Sequence, residues 1–285
     1  MNHKILTTIE VSDEPITAID LGQEGKLLAV SFANICSLID IETEEITQEI
    51  DLLEGNITSL SFHPQENQIA MGTKEGEILI YDYEKEKEIN SWNMRYWVNC
   101  LKYSPNGKYL AIGGSGESIT ISNHEIDYTP ELEIPTEIIV WALSWDATGK
   151  YLSVGDDEGD VSVFDFDEGK EVYSWEHEKR VNSIDFSRYG EITSCGHDGK
   201  VISLNIENEE MIELEFEEIP NCLLWREKVL AIATDLGNLI FLNEMFDEIG
   251  DFSHNEIIYS LEWKDKQTLI GAGKKGSVYF WEISF

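Results

Sequence analysis

Six histidines and four cysteines are the residues of this 285-residue chain best suited to chemistry, and their spacing argues against it. His3, His63, His124, His177, His197 and His254 form no pair at metal-ligand spacing, and neither His-Glu-x-x-His nor Cys-x-x-Cys occurs. Cys36, Cys100, Cys195 and Cys222 each sit inside an apolar run, which suits a buried free thiol better than a disulfide or a zinc site. The glycine-rich "GGSGES" at 113–118 leads into neither a lysine nor a helical pattern, so it reads as a hairpin turn and not as a phosphate loop. "GDDEGD" at 155–160 is acidic enough to suggest calcium but lacks the twelve-residue loop closed by a glutamate. These residues predict no catalytic group, no metal and no cofactor.

Binding chemistry is better represented. "NMRYW" at 93–97 sets Arg95, Tyr96 and Trp97 side by side in a chain with 20 Lys+Arg against 56 Asp+Glu, a net charge of −36. A field of that sign repels phosphate backbones and anionic lipid, so nucleic acid and membrane are not expected partners. The start has no apolar run of signal-peptide length, and nowhere do 18 apolar residues follow one another. A soluble, intracellular protein is expected, in the cytoplasm or else the nucleus. With 42% hydrophobic residues, including 11 Phe, 11 Tyr and 8 Trp, the chain can bury a large core.

The elements that position these residues come from a repeat. A hexapeptide of the pattern apolar, variable, small, aliphatic, variable, aromatic starts at Ile16, Ile57, Val98, Val140, Val181, Pro220 and Ile258, every 38 to 42 residues. Each copy continues into a turn such as "SPNGKY", a short apolar strand, and a second turn that often ends in glycine, as in "MGTKEGEILIYDY". Each copy thus holds at least three strands, with a fourth in the link to the next. The last copy stops at "WEISF" with no room for its fourth strand. Ile5, Ile9 and Val11 lie at the same offsets before Ile16 as Ile46, Ile50 and Leu52 do before Ile57. Residues 4–11 are therefore expected to complete the seventh unit and close the ring.

Seven four-stranded units at this period resemble the WD40-repeat family of β-propellers, over essentially the whole chain, 1–285. The expected fold is all-β: one seven-bladed propeller of antiparallel four-stranded blades. The family's letters are eroded. His177 and His254 stand where its histidine falls, and its Trp-Asp pair survives as Trp281-Glu282, with weaker echoes at Tyr81-Asp82 and Phe164-Asp165. Copy five keeps His177, Ser194 and Asp198 but has Leu204 at the tryptophan position, so a polar network is expected in at most one blade, with apolar packing carrying the rest.

By the same resemblance, the loop before each hexapeptide lies on the face around the central channel that binds peptides and proteins. Its binding residues tend to be the one before the hexapeptide, the second within it, and the one before the hairpin aspartate. Here those positions include Trp97, Asn99, Ile139, Trp141, Arg180, Asn182, His197, Ile257, Tyr259, Lys74 and Lys274, an apolar and aromatic arc with cations beside it. The competing structural reading is that Trp141 and Tyr259 cap the apolar stack, since positions two, four and six of a strand point the same way. The acidic runs at 42–49, 84–88 and 207–218 fall on the outer strands and their hairpins, where they protect edges or attract a basic partner.

The expected function is a non-catalytic scaffold that binds a protein or peptide, with a Lys/Arg-rich segment as one candidate, inside a larger complex. The alternatives are a rigid architectural subunit that uses its rim and, behind that, a propeller enzyme with a site at the channel mouth. The second hexapeptide positions, Thr, Asn, Trp and Tyr, are a poor ligand set for the last.

Overall fold

The computed structural model describes residues 1–22, 25–51, 54–116, 118–136, 138–254 and 256–285. Leu52 of the offset pattern and Glu117 of "GGSGES" lie outside them. The described residues form seven antiparallel four-stranded sheets arranged as the blades of a propeller. Each hexapeptide is the innermost strand of a blade, and the seven strands begin at the residues read from the repeat: Ile16–Leu21, Ile57–Phe62, Val98–Tyr103, Val140–Trp145, Val181–Phe186, Pro220–Arg226 and Ile258–Trp263. The ring closes as expected. Strand Asn2–Glu10 pairs antiparallel with Ser277–Ser284 as the outer strand of blade seven, Ile5 opposite Trp281 and Ile9 opposite Val278.

Among the described residues seven hydrophobic cores hold the ring, each shared by two neighbouring blades. Blades one and two meet through Leu38, Ile50, Leu60 and Met71, and the seam of blades seven and one is filled by Ile16, Val30, Ile270 and Phe280. A four-stranded sheet cannot bury both faces alone, so each blade depends on its neighbours.

The innermost strands would otherwise present a free edge to the channel. Side chains of one blade instead satisfy the backbone of the next. Ser59 Oγ accepts the N–H of Leu101 at 3.0 Å, Ser61 Oγ that of Tyr103 at 3.1 Å, Asp20 Oδ2 that of Phe62 at 2.7 Å and Asp185 Oδ2 that of Trp225 at 2.8 Å. Ser260 of blade seven accepts from Ile19 of blade one at 3.4 Å, which carries the pattern across the join. The small third position and variable fifth position of the hexapeptide are thus the stitching positions.

The alternation expected within the hexapeptide fails at its start. In all seven blades the register shifts between positions one and three, so position two is a β-bulge. A bulge leaves one residue unpaired and re-aims its side chain. In the strands of blades three and seven burial follows positions one, four and six, as Val98, Leu101 and Tyr103 show, and at position two Trp141 is half-buried and Tyr259 exposed.

Candidate functional site

Six backbone bonds place the two predicted loop sets on one face. The residue after the second strand donates its N–H to the carbonyl of the residue before the hexapeptide: Lys74 to Asn56, Ser115 to Trp97, Asp157 to Ile139, His197 to Arg180, Asp235 to Ile219 and Lys274 to Ile257, at 2.8–3.1 Å. In blades three and seven the approach leaves no room for a side chain, whereas Thr73, Asp156 and Thr234 stand at the same place in three others. A Cβ on Gly114 would run into the carbonyl of Trp97, and one on Gly273 into that of Ile257.

The candidate residues fall into three groups. At blades two and three, Trp97 is 48% exposed, its N–H donates to Ser115 Oγ at 3.0 Å, and Lys74 Nζ lies 4.9 Å from its ring centre. At blades four and five, half-buried Trp141 donates from Nε1 to Asp157 Oδ1 at 2.8 Å, and the Arg180 guanidinium lies 4.6 Å over its ring. Arg180 Nε also donates to Asn182 Oδ1 at 3.2 Å, with half-buried Ile139 and exposed His197 alongside in the backbone pairs. At blade seven, exposed Tyr259 and Lys274 accompany half-buried Ile257. Both tryptophans therefore hold a cation from an adjacent blade, a contact worth about 0.5–1 kcal/mol at an exposed site.

Asn99 and Asn182 are already employed. Asn99 Nδ2 donates to Val140 O at 3.0 Å and Asn182 Nδ2 to Pro220 O at 2.8 Å, just as Thr17 and Thr58 donate to Ile57 O and Val98 O at 2.7 and 2.5 Å. At position two these polar side chains tie one blade to the next, each asparagine using one of its two N–H donors to do so.

Sequence reading missed the charged lining of the channel. The fifth hexapeptide positions bring together Asp20, Lys102, Asp185 and Glu262. Lys102 Nζ meets Asp20 Oδ1 at 2.7 Å, although two repeats separate them in sequence. Burial, with the Asp20 charge added, pushes the Glu262 carboxyl up to about 8, and burial pushes Asp185 up to about 6. The signal was available as four ionisable residues at one position of the repeat.

The polar networks also differ from expectation. In blade five His177 Nδ1 faces Asp198 at 3.1 Å and His177 Nε2 faces Ser194 Oγ at 2.8 Å. The indole that Leu204 cannot supply comes from Trp175 on the outer strand of blade four, whose Nε1 donates to Ser194 Oγ at 2.9 Å. Blade six has its own network, in which Glu218 accepts from Thr234 and Asn238. In blade seven Glu256 accepts from Lys275 N at 2.7 Å and from Tyr279. Among the described residues the histidine network forms in blade five, while the clusters of blades six and seven are of another kind, built on a glutamate two residues before the hexapeptide, with His254 Nε2 left without a hydrogen-bond partner. His254 packs edge-on to Tyr279 and Trp281.

The histidines also pair in space where they did not in sequence. His63 and His124 lie with ring centres 4.7 Å apart, and with Glu66 their ligand atoms fall within 4.8 Å of one another, a grouping able in principle to hold a metal. Its atoms are committed to the seam of blades two and three. His63 Nδ1 accepts the N–H of Glu66 at 2.9 Å, which leaves Nε2–H to donate to Gly107 O at 3.0 Å. His124 bridges Glu66 Oε1 at 3.1 Å and Tyr128 Oη at 2.9 Å. In "GDDEGD", the Asp156 carboxylate accepts the N–H groups of Glu158, Gly159 and Asp160 and so caps its own hairpin. All four cysteines are free thiols, and burial pushes Cys36 and Cys222 up to about 12, far from the reactive thiolate.

Two family models match the chain. One, described as the anaphase-promoting complex subunit 4 WD40 domain, matches residues 50–101 and 133–189. The other, described as WD domain, G-beta repeat, matches residues 88–121. Eukaryotic translation initiation factor 3 subunit I of Debaryomyces hansenii is 25% identical over 193 residues, 60% of this chain and 55% of that protein. The serine-threonine kinase receptor-associated protein of Gallus gallus is 22% identical over 107 residues, 37% of this chain and 30% of that protein. The matches thus span between about a third and just over half of these relatives' length. Among solved structures, the β-propeller domain of Myceliophteria thermophila Cps50 (Swd1) superposes with a TM-score of 0.84 at 15% identity, over 99% of this chain and 100% of that one.

Proposed function

Since the chain is a WD40-repeat β-propeller, we propose that it is a non-catalytic scaffold that holds a protein or peptide on the face around its channel. The observation that carries this reading is the pair of cation-covered tryptophans, Lys74 on Trp97 and Arg180 on Trp141, each joining two blades on that face. Tryptophan and arginine dominate the energetics of protein interfaces, and side chains already braced by neighbours lose little freedom on binding. Translation initiation factor 3 subunit I is by name a subunit of an assembly, which supports membership of a larger complex.

A Lys/Arg-rich segment is the partner we favour. The net charge of −36 steers such a segment toward the ring. The acidic outer strands support a second reading, an architectural subunit gripped by its rim.

Affinity capture from the native cell separates the two, comparing the intact chain with a Trp97→Ala/Trp141→Ala variant of equal melting temperature. Partners that vanish with the pair are held on the channel face. Partners that all persist refute that site and turn attention to the acidic rim.

A further inference from the structure

The segment Asn93–Trp97 faces two ways. Trp97 belongs to the channel face, whereas Met94, Arg95 and Tyr96 line a groove of about 580 Å³ on the side of the ring, between the outer strands Lys87–Asn93 of blade two and Thr129–Pro135 of blade three. The apolar wall is braced without a ligand. The Trp92 ring stacks on buried Tyr128 at 5.7 Å, Trp92 Nε1 faces Met94 Sδ at 3.2 Å, and Tyr96 Oη lies 3.3 Å from Thr120 Oγ1. Pre-set aromatic walls lower the entropy lost on binding.

Arg95 is the groove's one cation. It sits in the left-handed region at φ 59°, held there by its N–H bond to Asn93 Oδ1 at 3.0 Å, and is exposed. Among the described residues its guanidinium has neither a hydrogen bond nor an ion pair, in a chain with 56 acidic residues. The groove has two carboxylates of its own: Asp127 on the far wall is engaged by Asn90 Nδ2 at 3.1 Å, and Glu133 is exposed to solvent without an ion pair to Arg95 among the described residues. An unpaired guanidinium beside an apolar wall matches a carboxylate neighbouring a large apolar side chain, and arginine binds carboxylate in a fixed two-point geometry.

We propose that this groove is a second docking site, independent of the channel face, for a short peptide segment that inserts one large apolar side chain against the aromatic wall and sets an acidic side chain on Arg95. The negative field over the rest of the surface disfavours acidic segments, so Arg95 also fixes where one can land.

The test uses the full chain and labelled twelve-residue peptides with a central Leu, Phe or Trp, flanked either by Glu or by Lys, read by fluorescence anisotropy. The Glu-flanked peptides should bind about tenfold or more tightly than their Lys-flanked counterparts. Arg95→Glu should invert that preference, Arg95→Lys should keep it in weakened form, and Trp97→Ala/Trp141→Ala should leave it unchanged. Binding by none of the peptides would overturn the proposal. So would equal binding of both sets, a preference that survives Arg95→Glu, or loss of binding with the two tryptophans. The inverted preference in Arg95→Glu is a gain of binding, which a misfolded variant cannot imitate.

Discussion

The Arg180 guanidinium lies 4.6 Å over the Trp141 ring from the neighbouring blade, while Asp157 holds the same indole by its edge. Removing either partner should therefore act on binding and not on folding. Trp141→Ala should weaken the captured partner about tenfold or more, with melting within a few degrees of the parent. Arg180→Ala should cost less, because the indole keeps its bond to Asp157. Calorimetric titration of the two variants checks the order, and an equal or greater loss for Arg180→Ala would show that the guanidinium itself is the main contact.

Closure predicts a long-range effect. Without residues 2–10 the strand Ser277–Ser284 becomes an open edge, and the seam of blades seven and one loses Ile9. The melting temperature should fall by about 10 °C or more, in one transition covering the whole ring. A truncated chain that melts like the parent would refute the closing role.

Two buried serines should behave in opposite ways. Ser194→Ala strands both Trp175 Nε1 and His177 Nε2, a loss of about 1–3 kcal/mol. Ser122 Oγ is buried with no hydrogen-bond partner among the described residues, so Ser122→Ala should be neutral or slightly stabilising. Urea unfolding of the pair decides this, and comparable losses would contradict the assigned network.

The channel carboxyls set a pH dependence. Glu262 is raised to about 8 in the folded chain, so it favours folding while protonated. That contribution is complete below the ordinary carboxyl range and is lost as pH rises through about 8, with Asp185 adding a smaller loss through about 6. His177, which burial depresses, works the other way, its contribution being lost as pH falls. Glu262→Gln should remove most of the decline between pH 6 and 9, of the order of 2 kcal/mol, in urea melts at the two pH values. An unchanged slope would assign the dependence to other groups.

The fold was legible because the repeat repeats its burial: Ile16, Ile57, Val98, Val140, Val181, Pro220 and Ile258 all begin innermost strands. The bulge at position two was not, since it is a fact of backbone pairing that recurs opposite residues as different as Phe32, Thr73, Asp156 and Gly114 and so leaves no mark in the periodicity. That bulge is why Trp141 leaves the core while strict alternation put it there. Partnerships between blades were hidden for a different reason. Trp175 replaces the indole missing at Leu204, Lys102 reaches Asp20, and His63 meets His124 only after the ring has curled. The loop holding Trp97 was visible in the sequence, but not that Arg95 and Tyr96 look out on a separate groove.

The pairing of Asn2–Glu10 with Ser277–Ser284 also orders events during synthesis. The first strand leaves the ribosome long before its partner exists, so Ile5 and Ile9 wait while six blades assemble behind them. Contacts between such distant segments are slow to form, and an unpaired edge is prone to aggregation in the meantime. A nascent chain that stops short of Ser277–Ser284 would hold nearly all of its blades and still be an unclosed arc, so the ring closes only once that strand has been made.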